Sequence, residues 1–407
     1  MELQISHPTN HCHGTLNITG SKSETNRLLL LQALFSGFEL TNPSNSDDSQ
    51  VMKKALISNS DTIDIHHAGT AMRFLTAYFA NLEGREVVLT GSKRMQERPI
   101  KILVEALRSL GASIQYVNEQ GYPPLRIKGK KLLGGSVQLP ADVSSQYISA
   151  LLLLGPVLQK GLNLELIGKI TSIPYIKMTL SLLNQMGVKT QFEGQKISVF
   201  NQKKPIRQTR LVESDWSSAS YFFSVAALAN DAEIRLSSYR KDSLQGDAVL
   251  TSIYSDLGVS SHFEGDTLVV RKTNQPLAQK INLDLTKAPD IAQTIAVSCY
   301  GLGVACDLVG LHTLKIKETD RLEALKSELT KLGANIRVTH QSLHLEAGGN
   351  FVENCSLPTY NDHRMAMAFA PLALKIPLQI EESEVVSKSY PDFWSDLKHL
   401  NFKIMSR

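Results

Sequence analysis

Six stretches of the chain share one arrangement, in which small or polar residues lead straight into about ten mostly apolar positions with no wet face. They begin at Gly20 (GSKSETNRLLLLQALF), Ala68 (AGTAMRFLTAYFA), Ser144 (SSQYISALLLLGPV), Ser217 (SSASYFFSVAALA), Pro289 (PDIAQTIAVSCYGLG) and Asn361 (NDHRMAMAFAPLAL). A capped helix that is apolar on every side must be surrounded by protein, so each stretch predicts a buried helix. Counted from Gly69 through Ser144, Ser217, Asp290 and Asp362, five of them recur at steps of roughly 72–75 residues, which marks an internal repeat.

A second series interleaves with the first. Amphipathic stretches end at Leu110-Gly111-Ala112, Met186-Gly187-Val188, Leu257-Gly258-Val259 and Leu332-Gly333-Ala334, where glycine supplies the expected helix stop. Short alternating runs such as Leu125 to Lys128, Thr267 to Arg271 and Ser342 to Glu346 read as strands with one wet face. Each repeat thus holds two helices and several strands. One such unit cannot close a core alone, so the pattern predicts a stack of six units, three to a domain, with their buried helices pointing the same way.

Charge sits where this pattern makes it costly. A helix N-terminus carries roughly half a positive charge, and a cation in the first turn is disfavoured by about 0.3–1 kcal/mol unless an anion lies opposite. Yet Lys22 and Arg27 open the first buried helix, Arg73 the second and Arg364 the sixth, and Lys317 and Arg321 stand a helical i,i+4 step apart in KETDRL. Acidic neighbours such as Glu24, Glu318, Asp320 and Asp362 could pair with any one of them. Taken together, with the helix starts converging, the surplus cations describe a pocket for ligands carrying several negative charges.

Composition narrows the class. With 407 residues, 42% of them hydrophobic, the chain can bury two or three domain cores, and a net charge of +4 is too small to argue for nucleic acid or a membrane surface. MELQISHPTN is neither basic nor apolar at its start, and the longest greasy run, Ala150 to Leu158, is about half the ~20 residues a spanning helix needs. Cys12, Cys299, Cys306 and Cys355 form no CxxC pair, so the cytoplasm is the expected compartment.

Familiar motifs are excluded in turn. Gly14 to Ser23 has the wrong glycine spacing for a phosphate-binding loop, and Gly301-Leu302-Gly303 follows an apolar helix where a dinucleotide motif needs a strand. His11-Cys12-His13 and His66-His67 lack the separated ligands of a metal site, so no metal is expected, and no GxSxG elbow is present.

The strings GSKSETNR, NSDDS, AGTAMR, RMQERP, SSQY, SDWSSASYF, LQGD, APDIAQT, KETDRL, YNDHRMAMAF and SKSYPDFW, in this order, resemble the signature series of the 5-enolpyruvylshikimate-3-phosphate synthase family over nearly the whole chain. The resemblance implies an α/β fold, a two-domain inside-out α/β barrel built from six βαβαββ repeats, three per domain, with the ligands in the cleft between domains. Crossings near Ser21 and Val212 would give a discontinuous domain, 1–20 plus 213–407, and a continuous one, 21–212.

The implied reaction moves the enolpyruvyl group of phosphoenolpyruvate to the 5-hydroxyl of shikimate 3-phosphate, without a cofactor or metal, in a monomer. By the same resemblance Lys22, Ser23, Arg27, Ser144, Ser145, Gln146, Ser172, Tyr175, Asp290 and Lys317 hold shikimate 3-phosphate. Lys22, Gly69, Arg94, Gln146, Arg321, Arg364 and Lys388 hold phosphoenolpyruvate, whose carboxylate and phosphate suit bidentate arginines and lysine point charges. Asp290 is the implied base at the hydroxyl, Glu318 the group that protonates and deprotonates the methylene carbon, and Lys22 the electrostatic stabiliser. Read from their positions alone, Asp290 is a helix cap and Glu318 an i,i+3 ion pair with Arg321.

Three residues depart from the family pattern: Thr313 where some members carry asparagine, His67 where asparagine is frequent and Phe74 where proline is common. These departures bear on the shape around phosphoenolpyruvate and on the response to glyphosate, the inhibitor that competes for that site in the family. Two other readings remain: the related transferase acting on UDP-N-acetylglucosamine, and a non-catalytic phospholigand-binding protein of the same fold.

Overall fold

Each of the six apolar segments forms a helix in the computed structural model: Lys22–Leu34, Gly69–Asn81, Ser145–Leu154, Trp216–Leu228, Ala292–Leu302 and His363–Phe369. The last continues as a 3-10 turn, Ala370–Leu374, because Pro371 removes an amide from the helical ladder. Three starts are capped as their sequences predict, Ser144 accepting from Gln146 N, Asp215 from Ser218 N and Asp362 from Arg364 N. The structure describes residues 1–35, 37–141, 144–170, 173–202, 209–353 and 355–406, with Ile316 by its backbone alone.

The chain divides into two compact units, one of Met1–Gly20 with Glu213–Arg407 and the other of Ser21–Val212. One topology recurs in both. A strand leads into a buried helix and a second strand parallel to the first; an outer helix follows, then a hairpin whose last strand lies antiparallel to the second. In the Ser21–Val212 unit this builds the sheets Thr62–Asp64, Glu86–Thr90, Leu125–Lys128, Ser113–Tyr116 and Gly135–Pro140, Leu162–Ile167, Lys196–Val199, Thr190–Glu193. The third sheet there is shortened to Thr209–Leu211 parallel to Glu39–Thr41. Helix Asp47–Ile57 is followed within a few residues by Thr62–Asp64, which leaves no chain for a hairpin.

The other unit has three four-stranded sheets of the same order. Its first 20 residues complete two of them: His11–Leu16 runs parallel to Asp231–Leu236, and Leu3–Ser6 pairs with both Leu378–Ile380 and Lys403–Ser406. Backbone pairing therefore explains why the N-terminal segment belongs with residues far along the chain. No described sheet closes on itself; the barrel-like order lies in the arrangement of repeats, with helices inside and sheets outside.

Each unit is built around three mutually packed helices, starting at Trp216, Ala292 and His363 in one and at Lys22, Gly69 and Ser145 in the other. Phe222 and Phe223 are wholly buried, each contributing about 1.5–3 kcal/mol relative to exposure. Helix contact is close at Gly301, where a Cβ would stand 2.5 Å from Leu228 Cδ2 and 2.9 Å from Leu372 Cδ2, so any larger residue makes those leucines shift. A thread of hydroxyls, Tyr254 to Ser298 to Ser224 at 2.8 Å each, satisfies the small polar groups between helices. The four predicted stops hold, with Gly111, Gly187, Gly258 and Gly333 all at positive φ. No helix among the described residues is long and apolar enough to cross a membrane.

Candidate active site

In the unit that contains Glu213–Arg407, the parallel helices bring their starts together and one guanidinium joins three of their neighbouring carboxylates. Arg321, 2% exposed, donates from Nε to Asp362 Oδ2 at 2.6 Å, from Nη1 to Asp290 Oδ1 at 3.0 Å and from Nη2 to Glu318 Oε2 at 2.8 Å. Asp320 caps the helix Arg321–Lys331, so Lys317 lies before it and not on a helical step from Arg321 as expected. The two cations converge on one carboxylate instead, Lys317 Nζ standing 3.5 Å from Asp290 Oδ1.

The other two predicted cations complete the group. Lys388 Nζ is 2.8 Å from Glu318 Oε1. Arg364 Nη1 donates to the main-chain oxygen of Asp290 at 3.0 Å, and its Nη2 lies 3.6 Å from Asp290 Oδ2 and 3.3 Å from Ser217 Oγ. Asp290 sits inside the turn Pro289–Ile291 with its carboxylate toward these cations, while the i,i+3 pair of Glu318 with Arg321 does form.

The charges set the protonation states. Burial works to raise both acids, but Lys317, Arg364 and Arg321 outweigh it at Asp290, and Arg321, Lys388 and His363 at Glu318, so both lie below the usual carboxylate range. Burial lowers and the surrounding carboxylates raise the two guanidiniums, with a net upward result. Asp247 goes the other way: burial, with the Asp290 charge adding, lifts it to about 7.

In the Ser21–Val212 unit several of the remaining predicted residues lie at three helix starts, those of Lys22–Leu34, Gly69–Asn81 and Ser145–Leu154. Neither Ser21 nor Ala68 caps its helix with a side chain, so the amides opening the Lys22–Leu34 and Gly69–Asn81 helices have no such competitor for an anion. Lys22 Nζ is 3.4 Å from Asp48 Oδ2. Arg27 is buried near Glu24 and gives its hydrogen bonds to neutral groups, donating to Thr179 Oγ1 at 2.8 Å, Ser149 Oγ at 2.9 Å and Ser23 O at 2.8 Å, with the Phe74 and Tyr175 rings 5.6 and 5.8 Å away. Burial lowers its pKa to about 10, which leaves it charged at neutral pH. Gln146 Nε2 reaches Thr70 Oγ1 at 3.1 Å, tying the Ser145 helix to the residue after Gly69.

Among the described residues, the other predicted ones form no hydrogen bond or ion pair with Lys22 or Arg27. Arg94 pairs with Glu97 at 3.1 Å on the surface, Ser144 is spent on its cap, Ser145 is the first residue of its helix, and Ser172 lies outside the described residues. Of the three departures, Phe74 packs under Arg27, His67 Nδ1 lies 2.8 Å from Ser92 Oγ, and Thr313 Oγ1 is buried with no hydrogen-bond partner among the described residues. Among the described residues no group of three or more His, Cys, Asp or Glu is arranged to hold a metal ion.

Two carboxylates, Asp290 and Glu318, held among Lys317, Arg321, Arg364 and Lys388 form an arrangement suited to moving protons beside an anion, and similarity to known proteins gives the family. Residues 51–397 match the family described as EPSP synthase (3-phosphoshikimate 1-carboxyvinyltransferase). This chain belongs to the EPSP synthase family. A 3-phosphoshikimate 1-carboxyvinyltransferase of Bacteroides fragilis (strain YCH46) is 46% identical over 410 residues, 99% of each chain. Another, of Haemophilus influenzae (strain PittEE), is 34% identical over 434 residues, 98% of this chain and 99% of that one. Among solved structures, the EPSP synthase from Acinetobacter baumannii has a TM-score of 0.82 at 21% identity over 100% of both chains. The enolpyruvyl transferase NikO from Streptomyces tendae has 0.74 at 14%, over 99% of this chain and 98% of that one. At those identities the two structures speak to the fold, and they bear out the α/β architecture. The family and its transferase class, read from the motif series, are likewise borne out, and the UDP-N-acetylglucosamine alternative is not favoured.

For this EPSP synthase family member, motif reading did not assign which partner each predicted site residue takes. Asp48 holds Lys22, Asp362 holds Arg321, Ser149 and Thr179 hold Arg27, and the Arg98 guanidinium comes within 2.6 Å of where a Gly69 Cβ would stand. NSDDS, RMQERP and LQGD were visible in the signature series, so a signal existed for Asp48, Arg98 and Asp247. Ser149 and Thr179 carry no such mark, being single hydroxyls inside apolar helices.

Proposed function

We infer that this chain catalyses enolpyruvyl transfer from phosphoenolpyruvate to the 5-hydroxyl of shikimate 3-phosphate, releasing phosphate. The observation that carries the reading is the Arg321 cluster, in which Asp290 and Glu318, two acids with separate cation partners, share one buried guanidinium. Lys22, Ser23, Arg27, Ser144, Ser145, Gln146, Tyr175, Asp290 and Lys317 serve shikimate 3-phosphate, together with Ser172. Lys22, Gly69, Arg94, Gln146, Arg321, Arg364 and Lys388 serve phosphoenolpyruvate.

The chemistry follows from what the anion takes away. Without ligand, Glu318 is ionised because Arg321 and Lys388 each lie 2.8 Å from it. A phosphoenolpyruvate carboxylate or phosphate that draws on those same cations removes the cause, so the Glu318 pKa rises and it can carry a proton to the methylene carbon. As that C–H bond forms, the 5-oxygen bonds to the adjacent carbon and its proton passes to Asp290, giving a tetrahedral adduct. Glu318 then takes back a methyl proton as the carbon–oxygen bond to phosphate breaks, and the proton taken from the hydroxyl leaves with phosphate. Each proton transfer is worth roughly 10²–10⁴ in rate. Lys22 neutralises charge that builds on both substrates. In this reading the protein's own cations carry the charge stabilisation, with no cofactor or metal, and the protein works as a cytoplasmic monomer with no nucleic-acid or membrane partner.

The test is phosphate release by the full chain with a chelator present. Release that requires both small substrates together is expected; no release rejects the assignment and leaves a phospholigand-binding protein, and release from phosphoenolpyruvate alone rejects it in favour of a phosphatase.

A further inference from the structure

Asp247 has no part in the scheme above, yet it is a buried carboxylate, 9% exposed, beside the reacting groups. It lies in the short turn Gly246–Val249. The preceding Gln245 fastens that turn to the start of the Trp216 helix, Oε1 accepting Trp216 N and Nε2 donating to Ser214 O, both at 2.9 Å. Among the described residues no lysine or arginine pairs directly with Asp247. Its contact is with the Ser217 hydroxyl, which donates to Asp247 Oδ2, and the same hydroxyl oxygen accepts Arg364 Nη2 at 3.3 Å.

A hydroxyl has one proton to give. Committing it to Asp247 leaves only lone pairs on the side facing the guanidinium, which is the orientation Arg364 needs. Its other anchors are Tyr221 OH at 3.5 Å, the main-chain oxygen of Asp290 at 3.0 Å and the Asp290 carboxylate at 3.6 Å. Ser217 is thus one of few neutral acceptors on Arg364, and Asp247 decides which way it points.

We propose that Asp247, acting through the Ser217 hydroxyl, is a positioning residue that sets Arg364 to receive an anionic group of phosphoenolpyruvate. This rests on the reading of Arg364 as a phosphoenolpyruvate ligand. The charged groups facing Asp247 are Asp290, Arg364 and Asp215. With its pKa raised by burial and by Asp290 to about 7, Asp247 changes state near neutrality. Protonated, it is a neutral and weaker acceptor, so the serine proton is no longer fixed on it and the Ser217 lone pairs are no longer held toward Arg364. The hold on Arg364 weakens as pH falls through that value.

Steady-state kinetics on the full chain, with each substrate varied from about pH 8 to about pH 6, compare wild type with Ser217→Ala, Asp247→Ala and Asp247→Asn. All four forms meet the same ligand titrations, so differences between them isolate Asp247. Wild type is expected to show KM for phosphoenolpyruvate rising as pH falls. Ser217→Ala and Asp247→Ala start roughly 3–10-fold higher at the upper pH, the worth of one hydrogen bond, and lack the step. Asp247→Asn keeps an oxygen that accepts from Ser217, so it stays near the wild-type value, also without the step. KM for shikimate 3-phosphate and kcat change little throughout. A structural role alone would lower both substrates' affinities and the melting temperature together. Wild-type KM in Ser217→Ala at both pH values, or a pH step in Asp247→Asn as large as that of wild type, overturns the proposal; failure of wild type to turn over at all overturns instead the transferase reading beneath it.

Discussion

Replacing Arg321 with methionine tests the central physical claim, that one guanidinium lets three acids lie together, Asp362 wholly buried and Asp290 and Glu318 partly so. The side chain is 2% exposed and contacts Asp290, Glu318 and Asp362 at 3.0, 2.8 and 2.6 Å. Methionine has similar length, so the change is mainly one of charge. Asp290 retains Lys317 and Arg364, and Glu318 retains Lys388, but Asp362, wholly buried, loses the only arginine it pairs with among the described residues. Breaking a buried pair by removing one partner costs about 3–5 kcal/mol. For a unit of this size each kcal/mol moves the midpoint by about 2–4 °C, so the loss should be roughly 6–20 °C.

The pH dependence of that loss is the sharper test. Asp290 and Glu318 have folded pKa values below their unfolded ones, so the stability they confer is present above about pH 4 and disappears as pH falls through the lowered folded values. Arg321→Met removes much of that depression. The gap between variant and wild type should therefore be widest at neutral pH and narrow in acid. Urea unfolding across that range measures it; a neutral-pH loss under about 1 kcal/mol, or a gap of constant size, would show that the acids are stabilised by something other than this guanidinium.

Other substitutions probe other levels of the structure. Glu318→Gln and Asp290→Asn should each lower turnover by at least about 10²-fold while leaving equilibrium binding of phosphoenolpyruvate within about tenfold, since cations do the binding; near-normal turnover in both refutes the proton-transfer roles. Arg27→Met keeps the buried stem but loses the charge held by Thr179 and Ser149, and calorimetry should show shikimate 3-phosphate bound at least about tenfold more weakly. Gly301→Ala places a methyl 2.5 Å from Leu228 Cδ2, and overpacking of about 1–3 kcal/mol should appear in unfolding with the kinetics of the remaining folded enzyme unchanged.

What the sequence determined by itself was the part governed by local and periodic physics. Apolar runs with capped starts had to become buried helices, Gly111, Gly187, Gly258 and Gly333 had to end their neighbours, and Lys22, Arg364 and Arg321 stood out because cations there needed anions nearby. The family was legible for the same reason: its motifs are contiguous. What only the tertiary structure decided was pairing across distance. That Leu3–Ser6 completes a sheet with the chain's last strand, that the third sheet of the Ser21–Val212 unit stops at two strands, and that Lys317 and Arg321 meet on Asp290 without sharing a helix all depend on which segments come to lie side by side. Likewise nothing local in LQGD marks Asp247 as buried; its place behind Ser217 and near Asp290 is what raises its pKa, because the cost of a carboxylate is set by the dielectric and the partners around it and not by its neighbours in the chain.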